Sequence, residues 1–254
     1  PLVPASTAKL LVTAVALREL GPAYRFETDL LALSPPDGAG RLPGDLYVRG
    51  SGDPTLVVEG LWKLVRDLKS AGIESVGGQV LFDDSVMESG DWVPGWDRAQ
   101  DLERGPPYFA SLGGLTLNHN AVEIVVAPGP GSGQPARVRL TTEAEDYLTL
   151  TNRVTTETGS SGRSSVSIVR EENQGQLHFD VRGTIPVGHT PRWFYRSVID
   201  PTAHFAAAFA GLAQAEGLRV EGGYGRGQTP EEAEVLVARS SPPLQSSQPS
   251  GTPS

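Results

Sequence analysis

The chain has 254 residues, 38% of them apolar, and a formal net charge of −9. That length supports one large domain or two to three smaller ones with ample core, and the acidic balance argues against a nucleic-acid surface. Cysteine is absent, which excludes disulfides and thiolate metal sites; the four histidines, His119, His178, His189 and His204, lack metal-ligand spacing and read as surface or loop residues, and no apolar run approaches a membrane span.

The first element is the most informative one. Ser6, Thr7, Ala8 and Lys9 form an S-x-x-K motif in a chain whose only other lysines are Lys63 and Lys69. A serine and a lysine at this spacing on a helix share a face, about one turn apart. The lysine can then accept the serine's proton, provided burial and nearby positive charge keep it neutral. Such a pair is the acylation machinery of serine penicillin-recognising enzymes. A serine that only caps a helix is the plainer reading of the same residues. Pro4 suits a helix start. Residues 10–17 are apolar nearly all round, so this helix is expected at the centre of a core rather than on a surface. Arg18, Glu19, Gly21 and Pro22 end it. Ser6 would then sit at the positive end of a buried helix, where developing negative charge is favoured.

Residues 25–33 and 44–49 read as strands around a Pro/Gly loop. Asp53 reads as a helix N-cap with Pro54 at the first helical position. Val57, Val58, Leu61, Leu64, Val65 and Leu68 then recur at helical spacing until Gly72, and a strand at 79–82 completes a small α/β unit. Residues 88–111 are irregular and rich in Trp, Pro, Asp and Tyr, the kind of long loop that is often functional. Strands at 122–127, 136–140, 147–150, 166–170 and 176–183 alternate with Gly/Ser/Pro turns, as in a small β-domain. Asp200-Pro201 opens a further helix with Phe205, Phe209 and Leu212 on one face and Gly217 at its stop. Residues 218–224 and 235–238 read as strands. Residues 240–254 (SSPPLQSSQPSGTPS) read as a low-complexity tail with too little apolar surface to fold. The adjacent acids Asp83-Asp84 and Glu171-Glu172 would point to opposite faces of a strand and read as solvated.

Six segments carry a resemblance: PASTAKLL at 4–11, GDLYVRGSGDPTL at 44–56, VPGW at 93–96, YFASLGGLTLNHN at 108–120, HFAAAFAGLAQAEGLRVEGG at 204–223 and VARSSPPL at 237–244. In this order they resemble the class C low-molecular-mass penicillin-binding proteins, the serine-type D-alanyl-D-alanine carboxypeptidase/endopeptidases of cell-wall metabolism. The resemblance implies an α/β (mixed α+β) fold. It would be a fragment of a transpeptidase-like/β-lactamase-like domain interrupted by a large α/β plus β insertion. Residues 1–25 and 200–244 would form a partial catalytic domain, 26–120 an inserted α/β domain, 121–199 an inserted β-rich domain and 245–254 a disordered tail.

The same resemblance makes Ser6 the acylated nucleophile and Lys9 its base. It implies a pocket in the insertion for the free amine of the peptide stem, for which Trp96, Asp101 and Tyr108 are the candidates, with Asp97 and Glu103 beside them. An acid near an aromatic wall suits an ammonium ligand. Peptidoglycan stem peptides would be the substrates and β-lactams the inhibitors, with no cofactor, no metal and an extracytoplasmic location. Two further family motifs are not found. No Ser has Asn two positions on, and neither Lys63 nor Lys69 begins a K-[ST]-G. The chain also opens five residues before Ser6, with no signal peptide. It is therefore expected to be an incomplete version of such an enzyme, cut at both ends. A non-catalytic peptidoglycan-binding or interaction module of that descent is the alternative.

Overall fold

The computed structural model describes residues 5–87, 105–141, 144–158 and 164–244. Its central element is a five-stranded sheet of order β13-β5-β3-β1-β14, formed by β1 (Glu27–Ala32), β3 (Leu46–Gly50), β5 (Val80–Asp83), β13 (Tyr224–Arg226) and β14 (Glu234–Ser240). β3, β5 and β13 run parallel, whereas β1 is antiparallel to both β3 and β14. Parallel neighbours need a crossover, and α2 (Val58–Ser70) supplies it between β3 and β5. Leu61, Leu64, Val65 and Leu68 form the buried face of α2, the positions that recur at helical spacing in the sequence. The third helix, α3 (Pro201–Ala215), presents Phe205 and Phe209 edge-on to Phe82 of β5, with ring centroids 6.1 and 5.7 Å away. These T-shaped contacts lock the helix over the sheet. β2 (Arg41–Leu42), β4 (Ser75–Val76) and β12 (Arg219–Val220) form a small parallel sheet of order β12-β4-β2.

A second group of strands lies between residues 121 and 197. β6 (Ala121–Ala127), β7 (Arg137–Thr141) and β11 (Arg192–Ser197) form an antiparallel sheet of order β11-β6-β7. β8 (Leu148–Glu157), β9 (Ser167–Asn173) and β10 (Gln176–Pro186) form a mixed sheet of order β8-β10-β9, with β10 parallel to β8 and antiparallel to β9. Ile124, Phe179, Val181 and Ile185 belong to the same hydrophobic cluster as the cores of α2 and α3.

The structure corrects four expectations. The segment after residue 200 was expected to join residues 1–25 in a catalytic domain. Instead β13 pairs with β5 and β14 with β1, so it completes the sheet of the α/β unit. Asp53 does not cap α2. Its carboxylate accepts from the backbone N–H and the hydroxyl of Thr55 at 2.8 and 2.7 Å, closing a local turn. Asp83 is not solvated but buried, accepting from the backbone N–H groups of Ser85 and Thr229. His204, expected at the surface, is 2% exposed within α3. The expected tail at 245–254 lies outside the described residues.

Candidate active site

Ser6 lies in the single 3-10 turn Ala5–Thr7 that runs into α1 (Ala8–Glu19). Thr7 has φ −68° and ψ −21°, so the helical path is continuous and Lys9 follows as the second residue of α1. The i, i+3 spacing on one helical path directs both side chains to one face. Both residues are exposed.

The expected burial of this helix is corrected. No side chain of α1 is buried, and Leu10 and Leu11 are 74% and 70% exposed. The helix is apolar all round, yet no described element covers it. It is anchored at its far end instead. Phe26 N–H donates to Ser241 Oγ at 2.9 Å, Ser241 N–H to the Phe26 carbonyl at 2.8 Å, and Leu244 N–H to the Tyr24 carbonyl at 3.1 Å. The Arg25 guanidinium donates to the Ser241 carbonyl at 2.6 Å. The VARSSPPL segment thus continues the pairing of β14 onto the chain that leaves α1.

Two of the most distinctive sequence segments meet each other rather than Ser6. Gly52 N–H donates to the Gly114 carbonyl at 2.7 Å, Asn118 N–H to the Leu56 carbonyl at 3.0 Å, and the Thr116 hydroxyl to the Asp53 carbonyl. Asn118, His119 and Asn120 hold φ values of 50°, 57° and 52°. Three consecutive left-handed residues favour Asn, whose short polar side chain tolerates that region. The Asn118 carboxamide oxygen then accepts from the Val58 N–H at 3.1 Å and satisfies the first turn of α2. The Asn120 side chain is buried, accepting from Leu117 N–H at 3.2 Å and donating to the Ser111 carbonyl at 2.9 Å. The SGDPTL and LTLNHN segments are therefore two halves of one hydrogen-bonded corner.

A polar seam that sequence reasoning missed runs along α3. The Arg226 guanidinium binds both carboxylate oxygens of Asp200 and lies 3.4 Å from Asp84. The Thr202 hydroxyl donates to Asp84 at 2.6 Å. Asp200 also caps α3, accepting from Ala203 N–H at 3.0 Å, as the sequence indicated. Its own N–H donates to the Tyr147 hydroxyl oxygen at 3.1 Å. Burial pushes the Tyr147 phenol up to about 12 and the His204 imidazole beside it down to about 4. Cavities of about 260 and 440 Å³ flank Arg226, one lined by Asp200 and Thr202, the other by Asp83 and Asp84. Arg226 is a single cation shared by two carboxylates, Asp84 and Asp200, so the seam ties the start of α3 to the end of β5.

Of the expected amine-pocket residues, Tyr108 is 75% exposed in a turn. Trp96, Asp97, Asp101 and Glu103 lie outside the described residues. Among the described residues no cluster of three or more His, Cys, Asp or Glu could hold a metal ion.

A serine and a lysine one turn apart at a helix start are the arrangement found in serine–lysine acyl-transfer enzymes. The chain belongs to the D-Ala-D-Ala carboxypeptidase 3 (S13) family, whose model matches residues 1–247. It is 32% identical over 252 residues to the D-alanyl-D-alanine carboxypeptidase of Actinomadura sp. (strain R39), covering 96% of this chain and 45% of that protein. To the D-alanyl-D-alanine carboxypeptidase DacB of Haemophilus influenzae it is 26% identical over 250 residues, 94% of this chain and 48% of that one. The crystal structure of penicillin binding protein 4 from Haemophilus influenzae shares the fold, with a TM-score of 0.78 at 24% identity over 96% of this chain and 52% of that chain. A second structure of that protein, complexed with a β-lactam, gives a TM-score of 0.69 at 21% identity over 96% of this chain and 50% of its own. The chain spans about half the length of the curated relatives it matches. The mixed α/β fold expected from the sequence is thus the fold of a solved structure.

Proposed function

We propose that the protein containing this chain hydrolyses the terminal D-Ala-D-Ala bond of peptidoglycan stem peptides, and peptide cross-links, through an acyl-enzyme on Ser6. The observation that carries the reading is the Ser6–Lys9 pair at a helix start, inside a family match spanning residues 1–247. Lys9 Nζ accepts the Ser6 Oγ proton while Oγ attacks the carbonyl carbon of the penultimate D-Ala. Collapse of the oxyanion breaks the C–N bond, the proton passes to the leaving amine, and D-Ala departs. Water then attacks the ester and gives a proton to Lys9, and Lys9 passes that proton to the Ser6 oxygen as the ester C–O bond breaks, releasing the shortened peptide and the Ser6 hydroxyl. A β-lactam ring would acylate Ser6 by the same first step. Trp96, Asp101 and Tyr108 would receive the stem amine, and the substrate sets the location outside the cytoplasmic membrane. Among the described residues no helix is long and apolar enough to cross a membrane.

The reaction needs groups besides this pair, because an acyl oxyanion left without one of its donors loses about 100- to 1,000-fold in rate. The test therefore joins the chain to a segment supplying S-x-N and K-T-G, and follows D-Ala release from a D-Ala-D-Ala-terminated peptide. Release that stops in Ser6→Ala supports the reading. Release that survives Ser6→Ala removes Ser6 from the role.

A further inference from the structure

The outer face of the β11-β6-β7 sheet combines exposed aromatic and arginine side chains. The register aligns Trp193 and Arg139 on either side of Val125, Tyr195 and Thr141 on either side of Glu123, and Arg137 beside Ala127. Residues directly opposite in antiparallel strands share a face. The alternate residues Phe194, Ile124 and Leu140 face the core. Trp193 and Tyr195 are 56% and 48% exposed, and Arg137 and Arg139 are also exposed. Val125, between them, is nearly buried beneath its long neighbours. The result is a groove of about 310 Å³ with a Val125 and Ala127 floor, Trp193 and Pro191 on one side, and Arg137 and Arg139 on the other.

Its chemistry points to a ligand that is apolar on one side and anionic on the other. Among the described residues neither Arg137 nor Arg139 has a carboxylate partner, in a chain of net charge −9. Among the described residues the one acid on this face, Glu123, accepts from the Tyr195 hydroxyl at 2.8 Å. Aromatic rings two residues apart on a strand stand about 6.5–7 Å apart. Two such platforms offer flat apolar surface to the C–H faces of successive pyranose rings, with polar edges left in water. Guanidinium forks recognise carboxylates in two-point contacts.

We propose that this face binds a polysaccharide of pyranose rings bearing carboxylates, one ring against Trp193 and a carboxylate on the Arg137–Arg139 pair. This is a binding surface separate from Ser6, so it holds or fails independently of the acyl-enzyme. The probe is a peptide-free glycan of alternating N-acetylglucosamine and N-acetylmuramic acid, whose lactyl carboxylates are exposed by amidase digestion. Isothermal titration of the 254-residue chain should show binding that Trp193→Ala weakens by at least about tenfold. Arg137→Ala/Arg139→Ala should weaken this glycan by a similar factor yet change binding of neutral chitohexaose by less than about twofold. Unchanged melting temperatures would show that these exposed substitutions leave the fold intact. The proposal is overturned if the glycan does not bind, if Trp193→Ala binds it as tightly, or if chitohexaose or poly-L-glutamate binds as tightly as the carboxylated glycan.

Discussion

His204 makes the stability of this fold depend on pH in a calculable way. It is buried in α3 against the Tyr147 ring, with centroids 6.3 Å apart, and its Nδ1 has no hydrogen-bond partner among the described residues. Burial lowers its pKa from the ordinary 6.5 to about 4. The folded state therefore resists the proton that the unfolded chain takes up readily. Stability is at its full value above pH 6.5 and falls as the pH drops towards 4, because the unfolded state binds more protons in that window. At about 1.4 kcal/mol for each tenfold change in proton affinity, the whole effect is about 3 kcal/mol. About 2 kcal/mol of it is lost between pH 7 and pH 5. Urea unfolding at a series of pH values measures this directly. In His204→Phe, which keeps an aromatic ring in the site, the slope between pH 7 and pH 5 should flatten by that amount. An unchanged slope in the variant would refute the assignment to His204.

Two further outcomes follow from the corner and from the exposed helix. Asn118→Ala removes the cap of α2, worth about 1 kcal/mol, and forces a Cβ-bearing residue without a polar side chain to hold a left-handed φ, about 1–2 kcal/mol more. Asn118→Gly loses only the cap, so urea midpoints should rank native above Gly above Ala, and the reverse order of the two variants would contradict this account of the corner. Leu11→Glu/Val12→Glu should suppress self-association of the chain in sedimentation velocity while shifting unfolding by only about 0.5 kcal/mol, as fits side chains that bury nothing. A large loss of stability would show that α1 is packed.

Local signals in the sequence translated directly into structure. Asp200-Pro201 caps α3 because a cap needs only its own next turn, and the apolar stripe of α2 is buried where its spacing put it. Features made by distant partners were not legible. The cap of α2 is Asn118, sixty residues along the chain, so the nearer Asp53 took its place in the reading. Asp83 and Asp84 looked solvated because Thr229, Thr202 and Arg226 arrive from the far end of the sequence. Strand β11 escaped notice because Arg192 to Ser197 sets three consecutive aromatic residues between two arginines, so no alternation of apolar and polar residues marks it. The Ser6–Lys9 pair was legible as a motif, whereas the exposure of α1 was not, since an all-apolar helix signals burial without naming what buries it.

The most direct test of the central claim is covalent labelling by a fluorescent penicillin, followed by mass mapping of the modified peptide. Three proteins are compared: the 254-residue chain, the chain extended with S-x-N and K-T-G, and the extended chain with Ser6→Ala. The account predicts a label on Ser6 in the extended protein, none after Ser6→Ala, and at least about 100-fold slower labelling of the 254-residue chain, which lacks those two motifs. A label on any residue other than Ser6, or equally fast labelling of the 254-residue chain, would contradict it.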